Sequence, residues 1–129
     1  MQLSIVIPCY NEEETISFFY DAIVPIVQSL KMSYELIFVN DGSKDKTMAC
    51  LMRLYQEHPD TIKVIDFSRN FGKEAALLAG LRASKGDYVT VMDADLQDPP
   101  TLLPKMFALM EQNDDDVVGT RRVSRIGEP

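Results

Sequence analysis

Four short apolar runs, each followed by a polar cluster and then by a segment of helical periodicity, constrain this chain most. Leu3–Pro8, Glu35–Asn40, Ile62–Phe67 and Tyr88–Met92 read as strands buried on both faces, as inside a parallel sheet. After the first, Ile16, Phe19, Tyr20, Ile23, Val27 and Leu30 recur at helical spacing, with Pro25 expected to kink the helix. Asn11 offers that helix an N-cap, with Glu12, Glu13 and Glu14 in its first turn, where the helix dipole favours negative charge. Met48, Leu51, Met52 and Tyr55 line a second helix. Gly72–Ser84 reads as a third, whose Ala76, Ala79, Gly80 and Ala83 permit close approach to the sheet. Thr101–Gln112 is predicted as a fourth and Val117–Gly119 as a short fifth strand, after which the chain trails off without a closing element. Strict alternation of strand and helix predicts an α/β fold with a doubly wound, mainly parallel sheet. Right-handed crossovers and a reversal between strands one and four give it the order 3-2-1-4.

At 129 residues, 46% of them hydrophobic, the chain has enough apolar material for one core and reads as a single domain. A formal charge of −7 argues against a nucleic-acid partner, which normally meets a basic face. It leaves anionic small ligands open, because a metal ion can carry the local positive charge. Cys9 and Cys50 match no metal-ligand spacing and form no disulfide framework, so both read as buried free thiols of a reducing compartment. His58 reads as a solvated residue near a helix end. No charged segment with a cleavage site precedes the first strand, and no stretch approaches the roughly 18 apolar residues of a membrane span.

Ligands of open α/β sheets bind outside the carboxyl ends of the strands, where strand order reverses. Every polar cluster here falls on such an end: Pro8–Glu14, Asn40–Thr47, Ser68–Lys73 and Asp93–Asp98. The last is the most telling. In Val91-Met-Asp-Ala-Asp-Leu-Gln-Asp-Pro-Pro100 an apolar strand ends in two carboxylates spaced i, i+2. Side chains alternate along an extended strand, so Asp93 and Asp95 are expected to point the same way. Pro99 and Pro100 stop the strand and open the next helix, with Asp98 as its N-cap. Oxygen ligands at such a place suit a hard divalent cation, Mg²⁺ or Mn²⁺, shared with substrate phosphates. A polar strand-to-helix turn with an aspartate cap is the bland alternative, and four clusters on one edge weigh against it.

Four segments carry a resemblance that covers nearly the whole chain. They are Ile5-Val-Ile-Pro-Cys-Tyr-Asn-Glu-Glu-Glu14, Val39-Asn-Asp-Gly-Ser-Lys-Asp-Lys-Thr47, Asn70-Phe-Gly-Lys-Glu-Ala-Ala76 and Asp93-Ala-Asp-Leu-Gln-Asp-Pro-Pro100. In order and approximate spacing they resemble the inverting glycosyltransferases of family 2, which have the Rossmann-like GT-A fold. The third and fourth are most similar to the polyprenyl-phosphate glycosyltransferases, the group of dolichol-phosphate mannose synthase and the bactoprenol glucosyltransferases. The resemblance implies transfer of a sugar from a UDP- or GDP-sugar donor to a lipid phosphate at the cytoplasmic face of a membrane, with Mg²⁺ or Mn²⁺ as cofactor.

By the same resemblance, Pro8, Tyr10 and Glu12 line the nucleotide pocket, and Asp41 contacts the base. Tyr10 can pack on a base or ribose, and a carboxylate such as Asp41 can accept from a ring N–H, which leaves wrong bases unpaired. Lys73 would face phosphates, with Gly72 allowing close backbone approach, against the simpler reading of a solvated lysine at a helix start. Asp93 and Ala94 would meet the nucleotide, Asp93 through the ribose or a metal-bound water. Asp95 is the expected metal ligand and Gln97 the second. Arg121 would meet a phosphate, while Arg122 and Arg125 read as interface, membrane-surface or solvated charges. Ser43, Asp45 and Thr47 read as turn and capping residues. No residue matches a catalytic base, and an already ionised lipid phosphate needs none.

The chain is expected to be the donor-binding N-terminal part of a longer enzyme, able to fold and bind nucleotide yet poor at transfer alone. Such a piece would itself be soluble and cytoplasmic, with the acceptor and membrane parts beyond it, and homo-oligomerisation is left open. The rival readings are a family 2 enzyme acting on a glycan or protein hydroxyl, and a nucleotide-binding module without catalysis. A flavodoxin-like receiver or phosphohydrolase fits less well, since it wants a phosphate-accepting aspartate after strand one, where Cys9-Tyr10-Asn11 stands.

Overall fold

The computed structural model describes residues 2–96, 100, 101, 103–105, 108 and 123–125. Its elements are β1 (Gln2–Cys9), α1 (Ile16–Ser29), β2 (Ser33–Asn40), α2 (Thr47–Glu57), β3 (Ile62–Asp66), α3 (Lys73–Ala83), β4 (Tyr88–Val91) and β5 (Val123–Arg125). They build one sheet of order β3-β2-β1-β4-β5. The first four strands run parallel, in the order expected from the sequence.

β5 pairs antiparallel with β4, Tyr88 opposite Arg125 and Thr90 opposite Val123. The stretch expected to trail off therefore supplies an edge strand. The free edge of β4 presents unpaired N–H and C=O groups, and an extended segment satisfies them without a crossover helix. The predicted strand Val117–Gly119, most of the predicted helix Thr101–Gln112 and the Asp98 cap lie outside the described residues.

Side-chain alternation splits the core into two layers. Leu3, Ile5, Ile7 and Cys9 of β1, with Leu36 and Phe38 of β2, face α1 and α2. There the rings of Phe19 and Phe38 meet edge-to-face at 6.1 Å. Val6, Ile37, Val39 and Val89 face the other way, toward Ala76 of α3. Gly80 sets that second distance: a Cβ on it would lie 2.3 Å from Val6 Cγ1.

Three local expectations change. α1 starts at Ile16, with Thr15 rather than Asn11 at the N-cap position and no acidic residue in its first turn. Asn11 is instead in the left-handed region, φ 54°, a conformation asparagine tolerates better than most residues. The buried face of α2 runs through Thr47, Leu51 and Leu54, leaving Met52 and Tyr55 on the exposed side. His58 is half-buried and stacks on Tyr20 at 5.1 Å, because its place at the end of α2 faces α1.

At the amino-terminal edge of the sheet, Glu35 is a buried carboxylate with its ligands supplied. Lys63 Nζ lies 2.6 Å from Oε1. The Ser4 hydroxyl and the Lys85 N–H donate to Oε2, at 2.5 and 2.6 Å. The Gly86 N–H in turn donates to Ser4 Oγ. This network fixes the turn from α3 into β4, and so the entry of the strand that leads to Asp93.

Candidate functional site

At the carboxyl edge the first three strands end in one row, since Cys9, Asn40 and Asp66 are register partners. β4 leaves earlier, at Val91 opposite Val6, while β1 runs on to Cys9. The edge therefore steps down where strand order reverses. A cleft of about 250 Å³ opens there, lined by Pro8, Cys9, Tyr10, Glu12, Asp41, Lys73, Asp93, Ala94 and Asp95. All eight described positions singled out from the sequence for nucleotide or metal contact are on this lining. Gln97 and Arg121 lie outside the described residues.

The β1–α1 loop, residues 10–15, owes its shape to the loop that opens α2. The N–H groups of Asn11, Glu12 and Glu13 donate to Ser43 Oγ, Thr47 Oγ1 and Asp45 Oδ2, at 2.9, 2.8 and 3.3 Å. In return Asn11 Oδ1 accepts from the Lys44 N–H at 2.9 Å. Burial alone would push the Asp45 carboxyl up, but bonds from the Thr47 hydroxyl and the Thr47 and Glu13 N–H groups hold it below its ordinary range. Ser43, Asp45 and Thr47 are thus turn residues that also satisfy the neighbouring loop. The alternation of Ser43, Asp45 and Thr47 in the loop before α2 is the sequence sign of it. The result presents Tyr10, 44% exposed, at the cleft with Glu12 beside it.

Asp41 follows β2 and is 5% exposed. Its Oδ1 accepts from the Phe71 N–H at 2.8 Å, and its Oδ2 from the Gly72 N–H at 3.1 Å. The Asn70 amide donates to the Asp41 carbonyl. One carboxylate therefore lines the cleft and holds the loop that opens α3. Gly42 makes the contact possible, with φ 70° and a notional Cβ only 2.2 Å from Arg69 C. Gly72, at φ 105°, occupies the N-cap position of α3, and a Cβ there would meet nothing within 4 Å.

Asp93 and Asp95 come together differently from the strand alternation expected of them. β4 has ended by then. The Leu96 N–H donates to the Asp93 carbonyl at 3.3 Å, and Leu96 takes φ 59°. A tight turn, with the early exit of β4, brings both carboxylates to the lining. Lys73 Nζ contacts Asp93 Oδ1 at 3.1 Å, with the lysine side chain 60% and the aspartate 18% exposed.

Cys9 is the lining residue that sequence reading passed over. Burial, and secondarily the charge of Glu12, push its thiol far above the ordinary range, so it is protonated at neutral pH and serves as packing. Its sulfur donates to the Ile7 carbonyl at 3.4 Å.

The charge balance of the lining is lopsided: Glu12, Asp41, Asp93 and Asp95 against Lys73. A polyanion alone would be repelled here, and a divalent cation would be attracted. Among the described residues no three His, Cys, Asp or Glu side chains converge as a metal cage. Two aspartates at a cleft fit Mg²⁺ or Mn²⁺ nonetheless, since these ions take most of their shell from water and phosphate.

A doubly wound sheet with an acidic cleft at its switch point is the GT-A arrangement. A family model described as glycosyl transferase family 2 matches residues 4–129, and the chain belongs to that family. An uncharacterised glycosyltransferase of Synechocystis is 47% identical over 128 residues, 99% of this chain and 40% of that protein. An undecaprenyl-phosphate 4-deoxy-4-formamido-L-arabinose transferase of Photorhabdus laumondii is 40% identical over 124 residues, 96% of this chain and 38% of that one. The chain thus spans about two fifths of the length of these relatives. Among solved structures, a Pyrobaculum calidifontis mannosyltransferase in complex with GDP-mannose and Mn²⁺ superposes with a TM-score of 0.71 at 27% identity. The match covers 91% of this chain and 33% of that one.

Proposed function

We propose that this chain forms the donor site of a glycosyltransferase that moves a sugar from a UDP- or GDP-sugar to a polyprenyl phosphate, with inversion and with Mg²⁺ or Mn²⁺. The observation that carries the reading is the cleft itself: four carboxylates, one lysine and an exposed tyrosine at the strand-order reversal. Relatives named for undecaprenyl-phosphate transfer support the acceptor class.

In this reading Tyr10 packs on the base or ribose, with Pro8 and Glu12 completing that wall. Asp41 accepts from the base while the Phe71 and Gly72 N–H groups hold its carboxylate in place. Ala94, 1% exposed, offers its short side chain where the nucleotide passes. Asp95 is the described residue that would hold the cation, with Gln97 as second ligand, Asp93 at the ribose or a metal-bound water, and Arg121 toward a phosphate. The bound ion would neutralise charge on the departing nucleoside diphosphate. Lys73 adds a second positive charge on the same side. A lipid phosphate is already ionised at neutral pH, so the chain has no need of a general base for that acceptor. No helix among the described residues is long and apolar enough to cross a membrane.

The test is calorimetric titration with UDP and GDP, in Mn²⁺ and in chelator. Binding of one nucleotide is expected to require the metal, and Asp95→Asn to weaken it by about tenfold or more, roughly 1.4 kcal/mol. Equal affinity in chelator, or in the variant, would remove the metal from the proposal.

A further inference from the structure

Among the described residues of the cleft lining Lys73 is the cation, and it sits on Asp93, the aspartate beside the proposed metal ligand Asp95. We propose that Lys73 is an exchangeable counter-ion: its ammonium holds the place beside Asp93 that the metal–nucleotide complex takes over, and it then turns to the phosphates. The inference rests on the donor-site reading above and adds a role that reading does not contain.

Two observations and one electrostatic argument carry it. First, the pair is built to separate. Its 3.1 Å contact joins a lysine side chain that is 60% exposed to an aspartate that is 18% exposed. A solvated ammonium on a flexible four-carbon stem breaks such a contact at little cost. Second, the two ligands have opposite charges and act on opposite partners. A divalent cation near Asp93 and Asp95 repels the ammonium, while a diphosphate attracts it. Third, the space for the turned lysine is open. Lys73 is the first residue of α3 and borders the cleft, with its side chain 60% exposed. Backbone N–H groups of that helix start also favour an anion.

The consequence is a coupling of opposite signs within one residue. Lys73 competes with free metal for Asp93 and assists the metal–nucleotide complex. Metal without nucleotide therefore binds weakly, and the two bind better together than separately. A residue that merely supports the fold would move both affinities in the same direction.

The experiment titrates Mn²⁺ alone into the chain, followed by the electron paramagnetic resonance of free Mn²⁺, and then UDP and GDP at saturating Mn²⁺. It uses wild type, Lys73→Met, Lys73→Gln and Lys73→Arg, with thermal melts as the folding control. Lys73→Met is expected to bind free Mn²⁺ about two- to fivefold more tightly, the range of an exposed ion pair. The same variant should bind the nucleotide severalfold more weakly. Lys73→Arg keeps the charge and should stay near wild type for free Mn²⁺, while Lys73→Gln, which also removes the charge, should repeat the tighter Mn²⁺ binding and replaces the methionine variant if that one folds poorly. Weaker or unchanged Mn²⁺ binding by folded Lys73→Met, with wild type still binding Mn²⁺ and nucleotide, would overturn the exchange and leave the donor site standing. Wild type that binds neither would overturn both.

Discussion

Two lysine–carboxylate pairs stand at opposite edges of the same sheet, and their surroundings give them different work. At the amino edge Glu35 faces Lys63 at 2.6 Å and is 5% exposed in its side chain. Ser4 and the Lys85 N–H complete its shell, and Lys63 Nζ also donates to the Ala83 carbonyl at 3.2 Å. At the carboxyl edge Asp93 faces Lys73 at 3.1 Å in an open cleft. In the first pair the carboxylate is buried and the lysine 36% exposed, and added hydrogen bonds on both partners hold the contact in place. The second is wet and borders a ligand-sized space. The same two functional groups make a structural anchor in one place and a replaceable contact in the other.

The largest effect should come from breaking the anchor. Glu35→Ala leaves the buried Ser4 hydroxyl, the Lys85 N–H and the Lys63 ammonium without their acceptor; a stranded buried donor costs about 1–3 kcal/mol, and water reaching Lys63, 36% exposed, reduces the share of the ion pair. Urea unfolding at pH 7 measures it. Burial raises the Glu35 carboxyl, but Lys63, the Ser4 hydroxyl and the Lys85 N–H outweigh it and hold the group below its ordinary range. A depressed carboxyl contributes stability that is full above the unfolded value, near 4.3, and lost as pH falls through the folded one. The gap between wild type and Glu35→Ala should therefore shrink below about pH 4. A gap that stays constant from pH 7 to pH 3 would mean that the charge of Glu35 contributes nothing.

The two edges were unequally legible in the sequence. The strand order and the cleft residues could be read because apolar runs give strands, alternation gives crossovers, and polar clusters after strands gather at one edge. Glu35 could not be singled out: a glutamate at the start of an apolar run looks like a solvated strand end. Only the meeting of β2, β3 and the α3–β4 turn makes it an anchor. The zip between Asn11 and Lys44, and the hold of Asp41 on Phe71 and Gly72, are likewise tertiary bonds between distant loops. Asp93 and Asp95 were found for a partly wrong reason. Period-2 logic assumed an extended strand, whereas β4 stops at Val91 and a turn delivers both carboxylates.

An intermediate effect belongs to Asp41, which shares features of both edges. Like Glu35 it is buried and holds a loop; like Asp93 it lines the cleft. Asp41→Ala strands the N–H groups of Phe71 and Gly72, and each unsatisfied donor costs about 1–3 kcal/mol when buried. Here part of that is recovered from water at the cleft. Nucleotide affinity should fall with Mn²⁺ and, for any residual binding, in chelator too, because the proposed contact is to the base. Calorimetry under both conditions separates it from Asp95→Asn, which acts through the metal. Loss confined to the Mn²⁺ condition would move Asp41 from the base to the metal shell.

The smallest effect sharpens the comparison most. If Lys73 and Asp93 form a replaceable contact, Lys73→Met should change stability by no more than about 1 kcal/mol, and less in high salt, which screens exposed pairs. The stem of Lys73 is solvated, so methionine loses little packing and helix propensity hardly changes. Urea unfolding at low and high salt gives the number directly. A loss near that of Glu35→Ala, independent of salt, would place Lys73 with Lys63 as a structural cation. The contact in the cleft would then be too strong for a metal–nucleotide complex to displace, and the difference drawn between the two edges would disappear.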